Sequence, residues 1–76
     1  MQELLLKINT GQSVFTPETE ATSLEGFQFI ADNLLGLYCQ DYINQYKACR
    51  EHRSGKSMID QVEVGSLTRA GARQLN

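Results

Sequence analysis

Cys49 and His52 are the residues of this chain best suited to chemistry. On a helix they stand at i and i+3, on one face, and supply two corners of a zinc site or a thiol beside an imidazole base. Neither arrangement is complete. Zinc wants two more ligands, and the other cysteine, Cys39, would lie about 15 Å away along a helix axis. That distance also exceeds the roughly 4.4–6.8 Å between Cα atoms that a disulfide spans. A nucleophilic cysteine needs a pocket and an oxyanion site, and an exposed helix end offers neither. A small buried cysteine, and a histidine favoured by the dipole at a helix C-terminus, account for both residues more simply. The expectation is a chain with no metal, no cofactor and no catalytic residue, hence not an enzyme.

Gly55-Lys56-Ser57 resembles the end of a phosphate-binding loop. The full motif needs a glycine five residues before Gly55, where Arg50 stands, and it needs a strand before and a helix after. The order expected here is the reverse, so Gly55 is assigned as a helix stop. The Cys-x9-Cys spacing of Cys39 and Cys49 resembles half of the twin motif of mitochondrial helical-hairpin proteins. That motif needs four cysteines and this chain has two.

Tyr38, Tyr42 and Tyr46 fall at i, i+4 and i+8, one helical stripe. Such a stripe packs its rings on a sheet with its hydroxyls at the rim, or it forms a binding face, since tyrosine is enriched at interface centres. With Arg50 and Arg53 at the basic end of the same stretch, the stripe is the expected partner-binding site. Lys47, Arg50, Arg53 and Lys56 also suit contacts to phosphates, with Tyr46 stacking on a base. The acidic balance of the chain, with a sequence pI near 5.2, argues against nucleic acid as first choice.

The elements that would position these residues follow from periodicity. Glu3 to Ile8 alternates, with Leu4, Leu6 and Ile8 on one side, and predicts a half-buried strand; a short helix competes, because Leu and Glu favour helices. Asn9-Thr10-Gly11 supplies a turn, and Ser13-Val14-Phe15 a short return strand. Pro17 breaks the pattern. Thr22 followed by Glu25 has capping-box spacing and sets a helix start at about Ser23. The apolar stripe through Phe27, Ile30, Ala31, Leu34 and Tyr38 then drifts on to Tyr46 and Cys49. Continuous to His52, the helix would be about 45 Å long, against a diameter of roughly 30 Å for a compact domain of this size. It must break near Gly36 or project beyond the domain. Met58 to Leu67 alternates around Val62 and Val64 as a last strand, and the tail after Thr68 forms at most one helical turn.

The expected architecture is therefore α+β, a single small domain spanning 1–76. It has a three-stranded sheet in β-β-α-β order with one long central helix on one face. A chain of 76 residues has a small core, and the sheet as assigned leaves Leu5 and Leu67 uncovered, which points to a partner or a homodimer. Residues 1–46 carry one base against six acids and residues 47–76 carry six bases against three acids, a −5/+3 polarity that suits an anionic partner or head-to-tail association. A helix with an acidic start and a basic end explains the same polarity through its dipole. No apolar run approaches the roughly 18 residues of a membrane span, and the N-terminus does not read as a signal peptide. Two cysteines without an export signal suggest reduced thiols and a cytoplasmic protein. The function expected is that of a small regulatory or inhibitory protein that binds another protein through its central helix; a nucleic-acid-binding regulator using residues 47–73 is the alternative.

Overall fold

A computed structural model of the chain describes residues 2–53 and 55–75, with the side chains of Gln2 and Arg53 excepted. Helix α1 (Gln2–Asn9) leads into β1 (Val14–Phe15), the long helix α2 (Leu24–Cys39), a hairpin of β2 (Tyr46–Arg53) and β3 (Lys56–Val64), and a short α3 (Arg69–Arg73). The strands form one antiparallel sheet in the order β1-β3-β2. The fold is a small α+β domain with one long helix against a three-stranded sheet, as expected, but its elements come in a different order.

The expected strand over residues 3–8 is helix α1. Leu4, Leu5 and Ile8 share one helical face and are buried, while Leu6 is 50 % exposed. Glu3 in the first turn and Lys7 in the last suit the helix dipole. The helix stops at Gly11, whose φ of +111° is open to glycine at no steric cost. Amides of Gly11 and Gln12 return to the carbonyls of Ile8 and Lys7, at 3.0 Å each. Leu5, expected to lie outside the core, is inside it.

Helix α2 begins where expected. The Ser23 hydroxyl accepts from the Gly26 amide at 3.1 Å, so Ser23 rather than Thr22 is the cap. Phe27, Ala31, Leu34 and Leu37 form its buried face. The helix neither breaks at Gly36 nor runs on to His52; it ends at Cys39, and its 16 residues span about 24 Å. Asp41 takes a left-handed φ of 63°, the Tyr42 amide bonds the Leu37 carbonyl at 2.9 Å, and the Asp41 amide bonds the Tyr38 carbonyl at 3.0 Å. This is a Schellman stop with aspartate in the place glycine usually takes. The overhanging helix disappears with it.

The expected helical half beyond Gln45 is strand β2. It pairs with β3 along its whole length, Tyr46 opposite Val64 through Arg53 opposite Lys56. Gly55, assigned to a helix stop, instead sits in the hairpin turn with φ +76°. Ser54 lies outside the described residues. The register slips between Cys49, opposite Gln61, and Arg50, opposite Ile59, so Asp60 is an extra residue on β3. That bulge reverses the side-chain alternation of β3. Ile59 and Val62, three apart, thereby both turn toward the helices and are buried.

The core comprises Phe15, Ile43, Ile59, Val62 and Val64 together with the inner faces of α1 and α2, and Tyr42, Tyr46, Ala48, Leu67 and Leu75 pack at its margin. The last strand ends at Val64, three residues earlier than expected, and Leu67 forms an isolated bridge with Ile43. Thr68 caps α3, accepting from the Gly71 amide at 3.0 Å.

Candidate interaction site

The three tyrosines do not form a helical stripe. Tyr38 is in the last turn of α2, Tyr42 lies in the connection and Tyr46 opens β2. The Schellman turn folds the chain back, so Tyr38 and Tyr46 nevertheless meet, their ring centroids 6.2 Å apart and their planes tilted by 30°. Tyr38 is 45 % exposed and Leu35, one turn earlier on the same helix, is 41 % exposed. Tyr46 is half-buried. Together they make an apolar strip along the junction of α2 and β2.

Tyr42 separates from this pair. It packs at the core margin, and its carbonyl accepts from the Thr68 amide at 3.0 Å. Through this backbone bond Tyr42 ties the end of α2 to the start of α3.

Arg50 is exposed and lies on the same face of β2 as Tyr46, four residues along the strand. Burial pushes the Tyr46 phenol above its ordinary value; the Arg50 charge pulls it down and the Asp32 carboxylate pushes it up. Arg50 on the hairpin and Asp32 on α2 are thus the two charges that act on Tyr46. The side chain of Arg53 lies outside the described residues.

The Cys49–His52 pair dissolves once β2 is a strand, because an i, i+3 spacing puts the two side chains on opposite faces of a sheet. Cys49 is half-buried on the face away from the helices, and Cys39 is exposed at the end of α2; both are free thiols. Among the described residues no group of three or more histidine, cysteine or acidic side chains is placed to hold a metal ion. No helix among them is long and apolar enough to cross a membrane.

Two features were not foreseen from the sequence. A cleft of about 520 Å³ opens between the 16–22 turn and the hairpin, lined by Thr16, Glu18, Thr22, Glu51 and Asp60 among others. It gathers carboxylates from three separate segments, and only the bulge at Asp60 turns that residue into it. The other is the outer edge of β2. The Val64 amide bonds the Ser13 carbonyl at 2.8 Å, and the Ile59 amide bonds the side chain of Gln28 at 2.9 Å, so both point away from β2. Alternation then sends Glu63, Gln61 and Met58 toward Lys47, Cys49 and Glu51. Tyr46, Ala48, Arg50 and His52 turn their N–H and C=O groups to the open side, where no partner meets them among the described residues. Ser54-Gly55 between two alternating segments is the sequence signal for this hairpin.

Compared with protein-family models, with curated proteins and with solved structures, the chain matches none.

Proposed function

We propose that this chain is a small non-enzymatic regulatory or inhibitory protein that acts by binding another protein at the α2–β2 junction. The observation that carries this is the exposed Leu35–Tyr38 strip in ring contact with Tyr46. Aromatic rings held by a folded scaffold, with a charged rim of Arg50 and Asp32, are the composition expected at the centre of a protein interface. The mechanism is steric occupation of the partner's surface. We place this activity in the cytoplasm, where both thiols stay reduced.

The test is affinity capture from an extract of the source organism, comparing the wild-type chain with a Leu35→Ala/Tyr38→Ala variant. Both side chains are exposed, and circular dichroism checks that the variant keeps its fold. A partner held by the wild type and lost by the variant supports the junction as the site; equal retention by both removes it.

A second reading rests on the hairpin. β2 and β3 bring Arg50, His52 and Lys56 to its distal half, a basic ribbon suited to phosphate contacts. A salt-sensitive gel shift of DNA or RNA, abolished by Arg50→Ala with Arg53→Ala, would promote it over protein binding.

A further inference from the structure

The open edge of β2 is eight residues long, carries no proline and has no bulge of its own. Such an edge is a template for another strand unless charges protect it. Lys47 and Arg50 look like protection when considered singly. Considered with Glu51, they encode a register.

An added antiparallel strand must bond to Tyr46, Ala48, Arg50 and His52, whose backbone groups face outward. A second copy of β2 can do this in only a few near-centred registers. Centred on Lys47, Arg50 or Glu51, two copies set identical charges against each other. Centred on Ala48, Lys47 meets Cys49 and no charge pair forms. Centred on Cys49, Lys47 of each copy stands opposite Glu51 of the other, Tyr46 opposite His52 and Ala48 opposite Arg50, with no like charges directly opposed. In that register Ala48–Arg50 and Tyr46–His52 are the hydrogen-bonded pairs. Lys47–Glu51 and Cys49–Cys49 are the non-bonded pairs, whose side chains lie closest, with Cα atoms about 4.5 Å apart.

We propose that the chain forms a twofold homodimer by antiparallel pairing of β2 with β2 about Cys49, joining two three-stranded sheets into one of six strands. The pairing is isologous and closed, so it ends at two copies. Helix α2 packs over β3 more than over β2. Because β3 and its symmetry mate are separated by three strand spacings, about 14 Å, the two helices clear each other on the same face. The Leu35–Tyr38 strips of the two copies then line the seam between them. The dimer goes beyond the binding of another protein and does not depend on it.

The test uses the full chain under reducing conditions in sedimentation equilibrium. The expected result is a reversible dimer that Lys47→Glu or Glu51→Lys weakens about tenfold or more, since each reversal sets two like-charged pairs across the seam. The charge exchange Lys47→Glu/Glu51→Lys restores it. Circular dichroism confirms that each variant is folded. Diamide then supplies a second readout: two Cys49 thiols lose two protons and two electrons, the diazene is reduced to its hydrazine, and an S–S bond joins the chains. Cys39→Ser is expected to cross-link as the folded dimer, and Cys49→Ser is not. A chain that stays monomeric at several hundred micromolar overturns the proposal, as does a dimer indifferent to Lys47→Glu or one that cross-links only through Cys39. Lys47 and Glu51 lie on the sheet face away from Tyr46, so loss of the dimer with retained partner capture separates this failure from failure of the junction site.

Discussion

Gln28 on α2 stands in for a missing strand beside Ile59 on β3. Its amide nitrogen donates to the Ile59 carbonyl at 2.7 Å, and its carbonyl oxygen accepts from the Ile59 amide at 2.9 Å. β1 pairs only with Val62 and Glu63, so past the Asp60 bulge this side of β3 has no strand neighbour. Ile59 is 8 % exposed, and its backbone groups would otherwise be left without partners in a largely dry site.

Gln28→Ala is therefore expected to cost about 2–3 kcal/mol: it removes the two bonds to Ile59 and a third to the Leu24 carbonyl, and it leaves the Ile59 donor and acceptor stranded. Urea denaturation measures the loss, and amide exchange at Ile59 localises it. Gln61→Ala is the contrast. Its side chain makes one long bond, 3.4 Å to Glu63, and its removal is expected to cost less than about 0.5 kcal/mol. Equal costs at the two positions would mean that Gln28 does not serve as a strand substitute.

Glu20 anchors the 16–21 turn to α1. It accepts from the Lys7 ammonium at 2.6 Å, the Gln12 amide at 3.0 Å and the Thr19 hydroxyl at 2.9 Å, with its own side chain 3 % exposed. Burial pushes its carboxyl up, but the three hydrogen bonds and the Lys7 charge outweigh it and hold the value below the usual 4.5. With the folded value depressed, the unfolded chain binds more protons near that pH. The stabilisation is full above about 4.5 and is lost as pH falls through the folded value. Glu20→Gln should therefore be less stable than wild type at neutral pH, on the order of 2 kcal/mol. The gap should close in acid. A gap that widens below pH 4 would reverse the sign of the linkage. Lys7 is 44 % exposed, so Lys7→Ala costs less, under about 1 kcal/mol.

Gly71 is the point where α3 meets the end of α2. A Cβ there would stand 2.0 Å from the Tyr42 carbonyl oxygen, a backbone atom that has no free rotation. Gly71→Ala must push α3 off Tyr42 and break the Thr68–Tyr42 bond, at an expected cost of about 1–3 kcal/mol despite alanine's better helix propensity. Gly26→Ala meets the Thr22 hydroxyl at 2.3 Å, the end of a side chain that can turn away. A melting temperature that falls for Gly71→Ala and holds for Gly26→Ala would establish the difference.

The parts of the fold that could be read from the sequence are those written in local chemistry. The Thr22–Glu25 spacing, which sets the start of α2 to within a residue although Ser23 is the cap, the stripe through Phe27, Ala31 and Leu34, and the alternation around Val62 and Val64 each state their element within a few residues. The failures share a physical cause. In α1, leucines sit on several faces, so an alternation of Leu4, Leu6 and Ile8 is as visible as the helical face that wins, and only burial in the common core decides between them. At the end of α2 the stop is carried by Asp41 in a left-handed conformation, while the nearby Gly36 and the tyrosine spacing both suggested something else. The Tyr38–Tyr46 contact was anticipated as a shared surface for the wrong reason: a chain reversal, and not a helix repeat, brings the rings together. The β2 edge is not legible in a stretch whose spacing predicts a helix, because an edge exists only once the hairpin does.

Ala21 and Asp41 are the two non-glycine residues with left-handed φ among the described residues, at 51° and 63°. An L-residue there costs roughly 1–2 kcal/mol, which glycine avoids at some expense in unfolded-chain entropy. Aspartate tolerates the conformation better than alanine. Ala21→Gly should accordingly stabilise the chain by about 1 kcal/mol and Asp41→Gly by about half as much, and the two should add, because the turns lie at opposite ends of α2. Gly11→Ala and Gly55→Ala, at φ +111° and +76° with open space around each Cβ, should lose stability through backbone strain alone. Thermal denaturation of the four variants checks both the signs and the order. A destabilising Ala21→Gly would mean that the turn into α2 is held by the methyl group and not strained at the backbone.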